Sequence, residues 1–282
     1  MREVCDVLVW LLFVTSNPAA AGPCNPNPPD NVCVASSCMS GACAVACDLT
    51  QTGTFDTELV VWQDDNGTPA DFTDDDVVFE GNIEDGNAFE CRFAFGTGTG
   101  ELKPTDSSLS VEGTEESDDI DVQLAFHVFE ADTYNSNDRV RCDAEVDAVR
   151  IETGSGDDWV SCEVDECAFV DLGPDDDSAT FDGPAVRSTG TNLCASFPKT
   201  PNSEIRVDSG PGDDCVIGTS LGRDKWYGEA GDDQHNGRGT PGGSDFADGG
   251  SENVADACWL GASTIDCENP APSPPSCPSY SP

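Results

Sequence analysis

The chain of 282 residues carries 55 acidic residues against 12 Lys and Arg, for a formal net charge of −43, with 37% hydrophobic and 7% aromatic residues. A surface of that sign repels phosphate backbones and anionic headgroups, which argues against nucleic acid and membrane partners and favours cations. Asp outnumbers Glu 37 to 18, which points to tight turns, where a short carboxylate bonds nearby backbone, rather than to charge carried for solubility alone.

The first 21 residues read as a secretory signal peptide. Residues 7–14 (VLVWLLFV) form an apolar run too short to span a bilayer, and Ala19, Ala20 and Ala21 offer a cleavage site, although Arg2 is outweighed by Glu3 and Asp6. Removing them takes away Cys5 and leaves 14 of 15 cysteines, an even number suited to disulfides in an oxidising, extracellular compartment. Residues 22–50 form a Cys- and Pro-rich N-terminal segment with Cys24, Cys33, Cys38, Cys43 and Cys47. It lacks paired C-x₂-C steps and any nearby His, so a disulfide-stapled cap or linker is expected rather than a zinc site.

Residues 51–268 are built on a repeat. Residues 149–158 and 205–214 align without a gap: apolar, Arg, apolar, acid, Ser or Thr, Gly, any, Gly, Asp, Asp. Tracked by its second Asp, the repeat falls at Asp118, Asp138, Asp158, Asp177, Asp214 and Asp233, in steps of 20, 20, 19, 37 and 19. A period near 20 marks a solenoid. The step of 37 reads as two steps with a degenerate rung between, and Asp76, Asp245 and Asp256 are candidate extensions of the ladder. The tail, 269–282 (NPAPSPPSCPSYSP), is too rich in Pro and Ser to pack and reads as a disordered, extended segment.

Short runs such as Val149-Arg150-Ile151 and Ile205-Arg206-Val207 alternate as half-buried strands do, and each is followed by a Gly- and Asp-rich turn. The expected fold is all-β: a parallel β-solenoid of the β-roll or β-helix kind, with coils of about 20 residues stacked about 4.8 Å apart. Stacking would pile acidic turns on one another, and they would repel unless a cation sat between them. Gly allows the positive φ that converges carbonyls, Asp adds a hard anionic oxygen, and Ca²⁺ takes six to eight such oxygens. Cys142 and Cys162, 20 apart, and Cys194 and Cys215, 21 apart, would pair across neighbouring coils, while Cys258 and Cys267 would staple the C-terminal end.

The stretches TGSGDDWV (153–160) and SGPGDDCV (209–216), and more loosely GEAGDD (228–233), resemble the nonapeptide repeat of hemolysin-type (RTX) calcium-binding proteins, G-G-x-G-x-D-x-U-x. The resemblance implies a β-roll in which Asp158, Asp214 and Asp233 ligate Ca²⁺ through carboxylates and Gly156, Gly212 and Gly231 contribute backbone; Asp177 sits on the same side of the stack. The departures are Thr153 and Ser209 at the first Gly, His235 in an aliphatic slot, and nonapeptides that are not back-to-back, which together imply a partial ladder of a few ions.

Catalytic motifs are scarce. His127 and His235 are the only histidines, and H-E-x-x-H, G-x-S-x-G and Walker sequences are absent. The expectation is a secreted, calcium-binding, non-enzymatic solenoid with a structural, adhesive or surface-matrix role, facing extracellular polysaccharide or cell-surface components. The alternatives are a carbohydrate-active lyase or hydrolase on a β-helix, and an acidic extracellular protein that binds no ion specifically.

Overall fold

The computed structural model describes residues 32–39, 42–52, 55–64, 76–83, 88–94, 107–183, 204–219, 224–238, 246–250, 256–259, 263–265, 269–270 and 277. The signal segment, Cys194, Asp245 and Cys267 therefore lie outside the described residues. Among these residues there are nineteen strands, one 3₁₀ turn (Leu49–Thr52) and no α-helix, and no helix long and apolar enough to cross a membrane.

The N-terminal part is antiparallel. Strand β1 (Cys33–Met39) pairs with β2 (Ala42–Asp48), and β3 (Thr57–Asp64), β4 (Asp76–Ile83) and β5 (Ala88–Ala94) form a meander. Strands β2 and β3 also begin the solenoid, since β2 pairs in parallel with β6 (Ser108–Glu112) and β3 with β7 (Asp118–Val122). From there two parallel ladders run side by side. The first continues through β8 (Val128–Asp132) and the second halves of β9 (Arg139–Glu152) and β10 (Trp159–Asp171). The second takes in the first halves of β9 and β10 and then β11 (Ser178–Asp182). Strands β12 (Ile205–Asp208), β14 (Asp224–Tyr227), β16 (Phe246–Asp248) and β18 (Ser263–Ile265) extend the first ladder. The second ends through β13 (Cys215–Ile217), β15 (Gln234–Asn236), β17 (Ala257–Trp259) and β19 (Asn269–Pro270). This is the parallel β-solenoid expected from the period, with two strands and two turns per coil.

Alternation within strands sets which side chains face inward. Leu109, Val111, Ile120, Phe129, Val140, Ile151, Val160, Phe181, Val207 and Val216 are buried in one continuous core between the ladders. Each fully buried aliphatic or aromatic side chain contributes roughly 1.5–3 kcal/mol. His235 joins them: it is 1% exposed, its ring stacks on Trp226 at 5.1 Å between centroids, and burial holds its pKa down at about 3. It fills the aliphatic slot as a neutral ring.

Two expectations about the repeat are corrected. The step of 37 contains no hidden rung: β11 pairs directly with β13, and β10 with β12, so Asp177 and Asp214 lie on adjacent coils. The extra residues fall between β11 and β12, almost all of them outside the described residues. Asp76 does not extend the ladder, because β4 runs antiparallel to β3 in the meander and leaves the stack.

The cysteines divide likewise. Cys142 and Cys162 are bonded across neighbouring coils with Cα atoms 4.4 Å apart, as their spacing predicts. Cys33–Cys47 staples the N-terminal hairpin. Cys215 bonds Cys277 rather than Cys194, so the Pro- and Ser-rich tail returns to the solenoid at that residue. Spacing alone could not find this pair, because Cys277 belongs to no coil.

Candidate functional site

Six successive coils pass from their first strand to their second through a six-residue turn. The fully described copies are 113–118, 133–138, 153–158, 172–177, 209–214 and 228–233. In every copy but 113–118 the second and fourth positions hold positive φ, for example Gly154 at 93° and Gly156 at 130°. A Cβ on Gly154 would stand 1.3 Å from the Tyr134 carbonyl oxygen of the preceding coil, so close stacking as well as φ requires Gly there. Gly212 and Gly231 take the fourth position in their own turns, at 158° and 156°. Asp158, Asp177, Asp214 and Asp233 all take the sixth. The expected site residues are thus brought to equivalent places on successive coils.

The sixth-position aspartates form a buried ladder. The backbone N–H of Asp138 donates to Asp158 Oδ1 (2.7 Å), that of Asp158 to Asp177 Oδ1 (2.8 Å), that of Asp177 to Asp214 Oδ1 (2.9 Å) and that of Asp214 to Asp233 Oδ1 (2.9 Å). Asp118 donates into the top of the ladder at Asp138, and Asp233 donates out of the bottom to Asp256 at 3.2 Å. Asp118, Asp138 and Asp256 therefore belong to the ladder, although the resemblance alone did not select them as ligands. All seven side chains are at most 2% exposed. The other oxygen, Oδ2, of Asp138, Asp158, Asp177, Asp214 and Asp233 is buried with no hydrogen-bond partner. First-position hydroxyls lie close by, but Thr133, Thr153 and Ser209 give their protons to carbonyls of the following coil, those of Thr153, Leu172 and Tyr227. Asp118 is also capped within its own turn, its Oδ2 accepting the Thr114 N–H at 2.6 Å.

A second, exposed ladder runs the opposite way at the fifth position. Asp157 N–H donates to Asn137 Oδ1, Asp176 to Asp157, Asp213 to Asp176 and Asp232 to Asp213, at 2.8–3.3 Å. Adjacent Asp-Asp pairs in the sequence thus split into one inward and one outward carboxylate, each bonding a different neighbour.

Electrostatics set what the inner ladder needs. Burial, opposed by the accepted N–H and reinforced by neighbouring aspartates, pushes Asp158 and Asp233 up to about 7, Asp138 and Asp214 to about 8 and Asp177 to about 10. Raising one carboxyl from 3.8 to about 7 corresponds to about 4 kcal/mol against its ionised form. Several bare, ionised carboxylates would together exceed the roughly 5–15 kcal/mol by which a whole domain is stable. The described Arg and Lys ion pairs go instead to acids elsewhere, including Asp119, Asp121, Asp143, Glu152, Glu204 and Asp208. The ladder therefore calls for protons or for cations. Among the described residues no three His, Cys, Asp or Glu side chains converge on one point. A cation here would meet one or two carboxylate oxygens and draw the rest of its shell from turn carbonyls or water, which suits a hard, oxygen-seeking ion such as Ca²⁺.

A shallow groove of about 300 Å³ lies beside the turns, lined by Asp132, Tyr134, Asn135, Glu152, Gly154, Asp171 and Gly173. Its three carboxylates come from the ends of neighbouring first-ladder strands. No protein-family model, curated protein or solved structure matches the chain.

Proposed function

We propose that the protein is a secreted calcium-binding β-solenoid with a structural, adhesive or surface-matrix role, similar in its turns to hemolysin-type repeats. The observation that carries this reading is the row of buried, unpartnered Oδ2 atoms on Asp138, Asp158, Asp177, Asp214 and Asp233. They stand one per coil in a chain of net charge −43. A divalent ion between turns would neutralise these charges, and only the folded stack assembles its ligands. In this reading Asp158, Asp177, Asp214 and Asp233 supply carboxylate oxygens and Gly156, Gly212 and Gly231 supply the turn geometry. The disulfides fit an extracellular location, where calcium is plentiful. Calorimetric titration of the disulfide-intact chain with CaCl₂ against MgCl₂ and NaCl tests the reading. Saturable calcium heats with a rise in melting temperature are expected, and a response equal to that of NaCl would refute it.

A second reading, a carbohydrate-active lyase or hydrolase, draws on the groove, where burial and Glu152 push Asp132 up to about 6 beside the Glu152 and Asp171 carboxylates. A polysaccharide panel with product analysis separates the two, since the calcium scaffold releases no oligosaccharide.

A further inference from the structure

Strand β10 breaks the alternation that sets inward and outward residues elsewhere in the ladders. Five consecutive residues, Glu166 to Val170, are all buried there. Ala168 and Val170 belong to the core between the ladders. Cys167 does not: with Ala148 it forms a second, separate apolar cluster, against which Val128 packs. Cys167 and Ala148 are 0% and Phe169 is 2% exposed, although the register sets Cys167 beside Ala148 and Phe169 beside Arg150 on the outer face of the first ladder. A strand buried on both faces needs a layer on each. Among the described residues the strands in extensive contact with β10 are β9, β11 and β12, all hydrogen-bonded beside it rather than laid across its outer face. The cover is also local, since Glu130 and Arg150 in the row of Phe169, and Asp132, Glu152 and Asp171 two residues further along, stay half-buried.

Cys167 carries the second observation. It is disulfide-bonded, and its bond is none of the three pairs described above. A disulfide needs Cα atoms within about 7 Å, and each rung of the stack adds about 4.8 Å. Cys43 on β2 is four rungs from β10, through β9, β8 and β6, and Cys38 on β1 is one further. Cys258 on β17 is four rungs off on the other ladder, and Cys267 lies two residues before β19, one rung beyond. Cys91 on β5 lies further still, across β9, β7, β3 and β4. Upstream of β1, Cys24 would have to cross five rungs to arrive. Cys194 needs no such path. Twenty-two residues (183–204) separate Asp182 of β11 from Ile205 of β12, where five (123–127) make the same crossing between Val122 and Val128. Cys194 sits midway along them, and at their end the Glu204 carbonyl accepts the N–H of Ala168, the residue next to Cys167, at 3.2 Å.

We infer that segment 184–203 docks on the outer face of the first ladder over Val128, Ala148, Cys167 and Phe169, clamped there by a Cys167–Cys194 disulfide. The docking gives β10 its second apolar layer and accounts for the long crossing after β11, whether or not the turns hold calcium.

The test is a disulfide map of the native full-length chain, with thiols blocked in acid before digestion. Trypsin cuts after Arg187 and Lys199 and so isolates Cys194 in peptide 188–199, and further cleavage after Glu163 and Glu166 parts Cys167 from Cys162. Peptide 188–199 cross-linked to the peptide that begins at Cys167 is the expected species. Cys167 joined to any other cysteine, or Cys194 recovered as a free thiol, overturns the pairing. The docking is read separately, by limited trypsin digestion of the native chain beside a variant carrying both Cys167→Ser and Cys194→Ser. Retention of the Cys142–Cys162 cross-link in that variant shows that its solenoid has formed. Cleavage after Arg187 and Lys199 should run at least about tenfold faster in the variant, because proteolysis follows the population of the undocked segment. Equal cleavage rates in the two proteins overturn the docking.

Discussion

Replacing Asp158 and Asp214 together with Asn separates a cation ladder from a charged surface. Asn keeps the oxygen that accepts the N–H of the preceding coil, at 2.7 Å for Asp138 to Asp158 and 2.9 Å for Asp177 to Asp214. It replaces each unpartnered Oδ2 with an NH₂ group. In chelator at pH 8 the wild type holds these carboxyls against pKa values of about 7 and 8, which opposes ionisation by about 4–6 kcal/mol each. The new NH₂ groups, buried without clear acceptors, cost about 1–3 kcal/mol each. The double variant should therefore be more stable than wild type without calcium, by about 4–8 kcal/mol for the pair. At roughly 2–4 °C per kcal/mol, that is a rise of at least several degrees. With calcium most of that gain should vanish. Two sites, each worth about 2.7 kcal/mol when free calcium is a hundredfold above its Kd, add about 5 kcal/mol to the wild type but not to the variant. Differential scanning calorimetry in EDTA and in 5 mM CaCl₂, on the same preparations, reads both differences. A variant that gains as much over wild type in calcium as in EDTA would refute the reasoning, because relief of repulsion alone predicts a gain that calcium leaves in place.

Further outcomes follow from the same geometry. For groups whose folded pKa is raised, stability is fully present below the unfolded value near 3.8 and is lost as pH rises through the folded values, here about 7 to 10. The melting temperature in chelator should therefore fall from pH 5 to pH 9, and saturating calcium should flatten that slope; a chelated protein that gains stability over this range contradicts the ladder electrostatics. Replacing Cys142 and Cys162 with Ala opens a cross-link spanning 20 residues and should cost about 3 kcal/mol, read by denaturant titration, with no loss expected if the pair is not formed. Trp226→Ala should cost about 3–5 kcal/mol by the same titration, since Trp226 is fully buried and stacked on His235; a cost under about 1 kcal/mol would place it outside the core.

The period of 20 and the alternation of runs such as Val149-Arg150-Ile151 were enough to predict a parallel solenoid and one cross-coil disulfide, because both follow from local spacing. The misreadings occurred where chain distance and spatial distance diverge. The 37-residue step is a single rung, and only the pairing of Ser178 with Cys215 reveals that. Asp76 looks like a ladder residue because acids precede Val77 and Val78, yet antiparallel pairing carries it out of the stack. The Asp-Asp pairs concealed two opposed ladders, since sequence cannot tell which of two adjacent carboxylates points inward. Tyr134, Ser136, Asp175 and Glu229 at positive φ were equally hidden, because a Gly pattern predicts such backbone only where Gly is present.

A crystal structure of the calcium-loaded protein with anomalous scattering data tests the central claim most directly. The account predicts anomalous peaks between successive turns, about 2.3–2.6 Å from Oδ2 of ladder aspartates and from turn carbonyl oxygens. A ladder with no anomalous density at saturating calcium, and Oδ2 atoms bonded to water or to one another through protons, would contradict it.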